Sequence, residues 1–186
     1  MLRIPFLLAV FTLTLPAADP VYESARQKLD LIEARQAKPG SVIVLTSEEI
    51  NTWARVRLPE IVPEGIRNQR AELGTDTGAG YALVDFLKLR HAQGDATNFL
   101  LRRLIEGERP VEARVRVQSG GGRCTVFLTR VEVSNVVANG TVLDLLIKTF
   151  FLPLYPDAKI NEPFELGYNM DRVDIRPSGV RVTIKK

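Results

Sequence analysis

Residues 111–118 read Val-Glu-Ala-Arg-Val-Arg-Val-Gln, and this stretch decides the fold. Its apolar and polar side chains alternate strictly, which is the period of a β-strand with one buried face and one face in water. Gly120-Gly121-Gly122 then turns the chain into a second strand-like run, residues 123–134. Because one wet face is typical of antiparallel sheets, the stretch predicts an antiparallel hairpin.

Further hairpins are predicted on both sides of this one. Ile66–Leu73 and Tyr81–Arg90 flank a glycine-rich loop, residues 74–80, and residues 171–176 and 180–185 flank Pro177-Ser178-Gly179. Helical patterns occur from Asp19-Pro20 to Lys38-Pro39-Gly40, from Thr46 to about Leu58 before Pro59, at 98–106 and from Thr141 to Leu152. The order predicts an α+β fold in which a curved antiparallel sheet packs on a few helices.

The N-terminus has the pattern of a signal peptide. Met1-Leu2-Arg3 precedes an apolar stretch from Ile4 to Leu15, and Pro16-Ala17-Ala18 supplies small residues for cleavage. The apolar stretch is too short to span a bilayer. We therefore expect residues 1–18 to be removed and residues 19–186 to form a single domain that is periplasmic or secreted, with no stable transmembrane segment after cleavage.

Composition excludes several classes of site. The chain has 25 Lys and Arg residues against 22 Asp and Glu residues, and these charges are interspersed rather than grouped, so nucleic-acid binding is not expected. The single cysteine, Cys124, excludes an internal disulfide, and with the single histidine, His91, it leaves no metal site of the Cys/His kind. We expect no cofactor.

Some predicted strands are apolar on both faces. Residues 42–45, 81–87 and 126–128 do not alternate, so something covers their second face. Either helices pack on both sides, or one face lines a groove for an apolar ligand. The helix predicted at 141–152 is apolar almost all round apart from Asp144 and Lys148, so it is either buried or borders a groove, with residues 154–156 at the mouth.

Two segments resemble a known kind of protein. The run Val42-Ile43-Val44-Leu45-Thr46-Ser47-Glu48-Glu49-Ile50-Asn51, with Thr46 and Glu49 placed as a capping box, is similar to the strand-to-helix start of bacterial envelope proteins of the tubular lipid-binding-like (TULIP-like) type. The segment Pro163-Phe164-Glu165-Leu166 and the hairpin after it are similar to their ends. The resemblance implies a long curved sheet wrapped on a helix and binding of lipid, with no shared catalytic residues.

The leading hypothesis is therefore a non-enzymatic protein that binds a lipid or another apolar ligand in a groove. The residues predicted to line the groove are Trp53, Leu83, Phe86, Phe127, Leu146, Phe150 and Phe151. The alternative is an envelope protein–protein interaction module with a solid core and a partner on a sheet edge or on the apolar helix.

A third hypothesis is a dimeric aspartic protease. Asp76-Thr77-Gly78 matches the core of that catalytic motif, but the apolar strand that leads into the aspartate is replaced by Gly74-Thr75. A glycine-rich hairpin turn explains the same residues. We therefore predict no catalytic site.

Overall fold

The computed structural model describes residues 19–61, 64–91, 107–153 and 155–186. The predicted signal peptide and the helix predicted at 98–106 lie outside these residues. The elements are α1 (Pro20–Glu33), β1 (Val42–Thr46), α2 (Ser47–Ile61), β2 (Ile66–Leu73), β3 (Thr77–Asp85), α3 (Phe86–His91), β4 (Glu108–Gly120), β5 (Arg123–Val133), β6 (Val136–Val137), α4 (Gly140–Leu146), β7 (Pro163–Glu165), β8 (Met170–Arg176) and β9 (Gly179–Ile184). The predicted α+β class with antiparallel sheets is confirmed.

The larger sheet has six strands, and the alternating stretch forms its β4. The order is β2-β3-β4-β5-β6, with β7 also paired to β5, and all the pairs are antiparallel. In this register Ala113 lies between Gly80 and Val131, so small and apolar residues share one face. Thr129 is an extra residue in β5 at a register shift beside Arg114, and its hydroxyl donates to the Arg114 carbonyl at 3.0 Å.

The smaller sheet has three strands in the order β1-β9-β8, and α1 covers one of its faces. Asp19 caps α1, because its carboxylate accepts the N–H groups of Val21 and Tyr22. Ile32 of α1 packs with Val182 and Ile184 of β9, and all three are buried. This cluster is the core of the smaller sheet.

Ser119 joins the two sheets. Its hydroxyl donates to the Val173 carbonyl at 2.6 Å and accepts the Val173 N–H at 2.8 Å. Gly122 donates its N–H to the Asp171 carbonyl at 2.8 Å. The β4–β5 hairpin is thus hydrogen-bonded to β8, which holds the two sheets next to each other.

The predicted capping box forms at the start of α2 and is confirmed. The Glu49 N–H donates to Thr46 Oγ1 at 3.1 Å, and the Thr46 N–H donates to Glu49 Oε2 at 2.8 Å. Two residues further on, Asn51 accepts the Ala71 N–H at 2.8 Å and donates to the Ala71 carbonyl at 3.0 Å. The Asn51 amide thus pairs with the β2 edge as a neighbouring strand would, and α2 covers that edge.

Several predicted boundaries are wrong: the first helix ends at Glu33 rather than near Lys38, and β3 begins at Thr77 rather than at Tyr81. We expected Pro59 to end the second helix, but α2 continues to Ile61. Pro59 has no N–H to donate, so it removes one hydrogen bond near the helix end, where Arg55, one turn earlier, is an exposed residue. We also expected a strand as far as Arg90, but Asp85 caps α3 by accepting the N–H groups of Leu87 and Lys88, each at 3.1 Å.

Candidate functional site: an apolar groove

An apolar groove of about 340 Å³ lies between one face of the six-stranded sheet and α4. Among the described residues, those that line it are all apolar or aromatic: Ile66, Val84, Phe86, Leu89, Val111, Ala113, Val115, Val126, Leu128, Val131, Val133, Leu143, Leu146, Ile147, Phe150, Phe151, Tyr155 and Ile160. Cavities that bind small molecules are mostly apolar clefts of about 300–1,000 Å³. The groove thus has the size and the chemistry of a site for an apolar ligand.

Ala113 lines the floor of the groove, and small residues lie beside it on the adjacent strand. Ala113 pairs with Gly80 across β3 and β4, and Ala82 pairs with Val111 one position along on the same face. A Cβ atom built on Gly80 would meet no heavy atom within 4 Å. The space above this part of the sheet exists because these positions carry short side chains or none.

The roof is α4 together with the π-helical turn that follows it, Ile147–Phe151. The adjacent residues Phe150 and Phe151 both line the groove, and the wider turn places them there. Phe150 is buried and meets Phe86 edge to face, with ring centroids 4.9 Å apart. The rings of Phe151 and Tyr155 lie 5.2 Å apart and are 39% and 46% exposed, so they border an open mouth.

The residues predicted to line the groove are not all placed together. Phe86, Leu146, Phe150 and Phe151 line it, although Phe86 does so from α3 rather than from a strand. Leu83 and Phe127 lie on the opposite face of the sheet, because their strand neighbours Val84, Val126 and Leu128 face the groove. Trp53 lies on α2, away from the groove lining.

Arginine side chains cover apolar residues on the opposite face of the sheet. The guanidinium of Arg116 lies 4.7 Å from the centre of the Phe127 ring, and that of Arg70 lies 3.8 Å from the centre of the Tyr81 ring. Glu72 bonds to both Arg70 and the Tyr81 hydroxyl, which lowers the pKa of Glu72 and raises that of Tyr81. Two aromatic residues on the opposite face of the sheet, Tyr81 and Phe127, are thus each covered by an arginine.

The alternation of β4 already contained a signal for the missed lining residues. Val111, Ala113 and Val115 were predicted on one face, and that face is the groove floor. We expected large side chains to mark the lining, whereas a cavity requires small ones as well. A face that carries Ala113 opposite Gly80 is therefore the informative pattern.

Other candidate sites have structural explanations. Asp76 occupies the β2–β3 turn at φ 53°, where its N–H bonds to Ile175 and its carbonyl accepts the Val117 N–H. Burial raises the pKa of the Cys124 thiol, as expected for a structural cysteine. Among the described residues no cluster of three or more His, Cys, Asp or Glu side chains is arranged to hold a metal ion.

Across the described segments, no helix has the length and apolar character needed to cross a membrane. Comparison of the chain with protein-family models, with curated proteins and with solved structures finds no match.

Proposed function

We propose that this chain is a non-enzymatic protein that binds a lipid or another apolar ligand in the groove, and that it works in the periplasm or outside the cell after removal of the signal peptide. The observation that carries the proposal is the groove itself: it has a volume of about 340 Å³, its described lining residues are all apolar or aromatic, and Phe151 and Tyr155 are partly exposed at its border. The similarity of residues 42–51 and of the C-terminal segments to TULIP-like envelope proteins supports the same function.

The driving force is the burial of apolar surface on both partners. Each CH₂ group that leaves water contributes about 0.8 kcal/mol. An alkyl chain in the groove would cover floor residues such as Ala113 and Val115, and it would also cover the exposed ring of Phe151. Binding of this kind selects chain length and shape rather than a particular functional group.

Ligand uptake by the purified protein tests the proposal. The protein is isolated from the envelope of its own host, examined by native mass spectrometry, stripped with organic solvent and titrated with a dansyl-labelled fatty acid. We expect a co-purifying lipid-sized mass and saturable binding of the probe. Ala113→Phe fills the floor, and we expect it to weaken probe binding about tenfold, which is about 1.4 kcal/mol.

Leu83→Phe is the matched control, because it adds a ring of the same kind to the opposite face of the same sheet. We expect it to bind the probe as the wild type does. Absence of both a co-purifying mass and probe uptake in the wild type would contradict the proposal, and so would unchanged binding in a folded Ala113→Phe variant.

One observation favours the envelope interaction module as a second candidate. Val42 and Val44 are each 44% exposed on β1, which is an edge strand of the three-stranded sheet. An exposed edge with apolar side chains is a site at which another chain can add a strand. Native mass spectrometry also distinguishes the two candidates. The interaction module predicts a stable complex with a partner protein, and Val44→Lys should abolish that complex.

A further inference from the structure

The charges of this chain are interspersed along the sequence, but the fold sorts the arginines of one sheet face into two groups. This face is the side of the six-stranded sheet opposite the groove. In the part of it that extends from Glu108 to Arg114 along β4, each of four arginines forms a salt bridge with a glutamate: Arg67 with Glu108, Arg70 with Glu72, Arg114 with Glu112 and Arg130 with Glu132. These four pairs carry no net charge.

Six further cations on this side of the protein form a second group. Arg116 and Arg123 continue the same face of β4 and β5 toward the turn that joins these strands. The other four lie on β8, on β9 and directly after β9, in the three-stranded sheet. All six are exposed, and among the described residues none of them takes part in a salt bridge: Arg116, Arg123, Arg172, Arg176, Arg181 and Lys185. We call these six residues the cationic surface.

Arg172 of β8 connects the two parts of the cationic surface. It borders the same surface depression as Arg116, between β8 and β4. A Cβ atom built on Gly120 would lie 3.4 Å from its guanidinium, and Gly120 pairs with Arg123 across β4 and β5. The side chain of Arg172 therefore lies next to the strand positions that carry both arginines of the six-stranded sheet.

The remaining three cations continue from Arg172 over the three-stranded sheet. Arg176 is four residues further along β8, so it shares the face of Arg172. Arg181 lies on this face as well, because it pairs across β8 and β9 with Asp174, which stands between the two arginines of β8. Lys185 follows β9, and its side chain reaches the β4–β5 turn.

The carboxylates beside the cationic surface balance only part of its charge. Asp174 lies among its arginines, Asp76 borders the depression, and Glu165 pairs with Arg123 across β5 and β7. Three carboxylates against six cations leave three positive charges in excess. Such an excess attracts an anionic partner over a distance of about 10 Å at about 0.1 M salt.

Exposed apolar side chains lie next to these cations. Val44 of β1 pairs with Arg181 across β1 and β9, so the two share a face, and Val42 and Val44 are each 44% exposed. Guanidinium groups bind lipid phosphates, and apolar side chains beside them reach the boundary of the acyl chains. Lipids also diffuse in the plane of a bilayer, so they supply a phosphate to each cation, whereas a protein partner needs carboxylates at matching positions.

We infer that the cationic surface docks this protein on the surface of a bilayer that contains anionic lipids. The inference goes beyond the proposed function, because the surface lies on the side of the six-stranded sheet opposite the groove and does not require an occupied groove. Each cation close to an anionic bilayer strengthens binding about fivefold, which is about 1 kcal/mol. Three excess charges therefore predict a preference of about a hundredfold for anionic over neutral bilayers.

Sedimentation with vesicles tests the inference. The protein, isolated from the envelope of its host and stripped with organic solvent, is mixed with vesicles of phosphatidylcholine alone or with vesicles that also contain about one third phosphatidylglycerol. We expect the hundredfold preference for the anionic vesicles at about 0.1 M salt. We expect its loss at about 1 M salt, because the Debye length falls from about 10 Å to about 3 Å.

Arg172→Gln combined with Arg181→Gln removes two charges of the cationic surface, and we expect about 25-fold weaker binding to the anionic vesicles. Arg67→Gln combined with Arg70→Gln is the matched control, because it removes the same charge from the ion-paired part of the face, on β2. We expect it to weaken binding less than about threefold, since charges more than about 10 Å away are largely screened.

The midpoint of urea unfolding shows whether each variant is folded. If Arg172→Gln combined with Arg181→Gln does not fold, Arg123→Gln combined with Lys185→Gln replaces it, because it removes the same number of charges from the cationic surface. We expect the same loss of binding to the anionic vesicles.

The outcomes separate docking from ligand binding. Equal binding of the wild type to both kinds of vesicle would overturn the inference, and so would full retention of the preference in a folded variant of the cationic surface. Binding of polyglutamate without binding of anionic vesicles would overturn it in favour of an acidic protein partner. Ala113→Phe, which fills the groove floor, should retain the preference, so the groove and the cationic surface can fail independently.

Discussion

The two sheets of this protein each have an apolar face, but the described residues seal only one of these faces. In the three-stranded sheet, Ile32 of α1 closes over Val182 and Ile184, and all three side chains are at most 5% exposed. In the six-stranded sheet, α4 and the π-helical turn leave a groove of about 340 Å³. The same kind of strand surface therefore serves as a core in one region and as a candidate binding site in the other.

Sheet width and floor composition account for the difference. The 14 residues of α1 lie over a sheet of three strands, whereas α4 and the π-helical turn, with 7 and 5 residues, lie over a sheet of six strands. Below α1 the strands present large side chains such as Ile184, whereas the groove lining below α4 includes the short side chain of Ala113. A wide sheet with a small residue in its floor leaves room that the described residues do not fill.

The largest effect is expected from glycine substitutions, one in each sheet. A Cβ atom at Gly179 would lie 2.1 Å from the Leu45 carbonyl oxygen, at φ +150°, whereas one at Gly80 would meet nothing within 4 Å. We expect Gly179→Ala to reduce the free energy of unfolding by about 3 kcal/mol or more. Gly80→Ala should instead raise it by about 0.4–1 kcal/mol, since it removes only unfolded-state freedom. Urea unfolding measures the free energy of unfolding of both variants. Equal losses in the two variants would contradict the difference between the two sheets.

A matched pair of isoleucines gives the next effect. Ile32 is 5% exposed in the sealed cluster, and Ile147 lines the groove from the π-helical turn. We expect Ile32→Ala to cost about 2–5 kcal/mol of unfolding free energy. We expect Ile147→Ala to cost less than about 2 kcal/mol, because the space beside it is already open. If Ile147→Ala proves as costly as Ile32→Ala, the groove is as tightly packed as the core.

A matched pair of alanines reverses the change by adding volume. Ala25 of α1 is fully buried, whereas Ala113 borders the groove. We expect Ala25→Leu to destabilise the protein by about 1–3 kcal/mol through overpacking. Ala113→Leu should leave the free energy of unfolding within about 0.5 kcal/mol of the wild type, because it extends into empty space. Chemical denaturation of both variants decides this, and a large loss in Ala113→Leu would show that no space exists there.

Local chemistry made much of the fold predictable from the sequence. The alternation at 111–118, the glycine turns and the capping box of Thr46 and Glu49 depend on neighbours along the chain, and they determined the strands and the start of α2. The groove depends on which face of each strand meets a helix. Strand segments that are apolar on both faces, such as those that contain Leu83 and Phe127, do not indicate which face that is. The Asn51 amide illustrates the same limit, since its partner Ala71 lies on another element.

The smallest effect concerns a carboxylate in the sealed region, Glu49, which is 6% exposed. Burial by itself raises the pKa of its carboxyl group, but hydrogen bonds from Lys28, Ser24 and the Thr46 N–H together hold the pKa below its ordinary value of 4.5. A carboxylate whose pKa is lowered on folding stabilises the protein above its unfolded pKa and loses that contribution as the pH falls through its folded pKa.

We therefore expect Glu49→Gln to reduce the free energy of unfolding by about 1–3 kcal/mol at pH 7. The difference in unfolding free energy between the wild type and Glu49→Gln should stay constant down to about pH 5 and narrow below the ordinary pKa of Glu49. Urea unfolding from pH 7 to pH 3 measures this gap. Because no carboxylate is found among the described residues that line the groove, the difference in unfolding free energy between Ile147→Ala and the wild type should be the same at every pH. If the difference in unfolding free energy between the wild type and Glu49→Gln does not narrow in acid, the hydrogen bonds of Glu49 do not depend on its charge. The sealed region would then differ from the groove in packing alone.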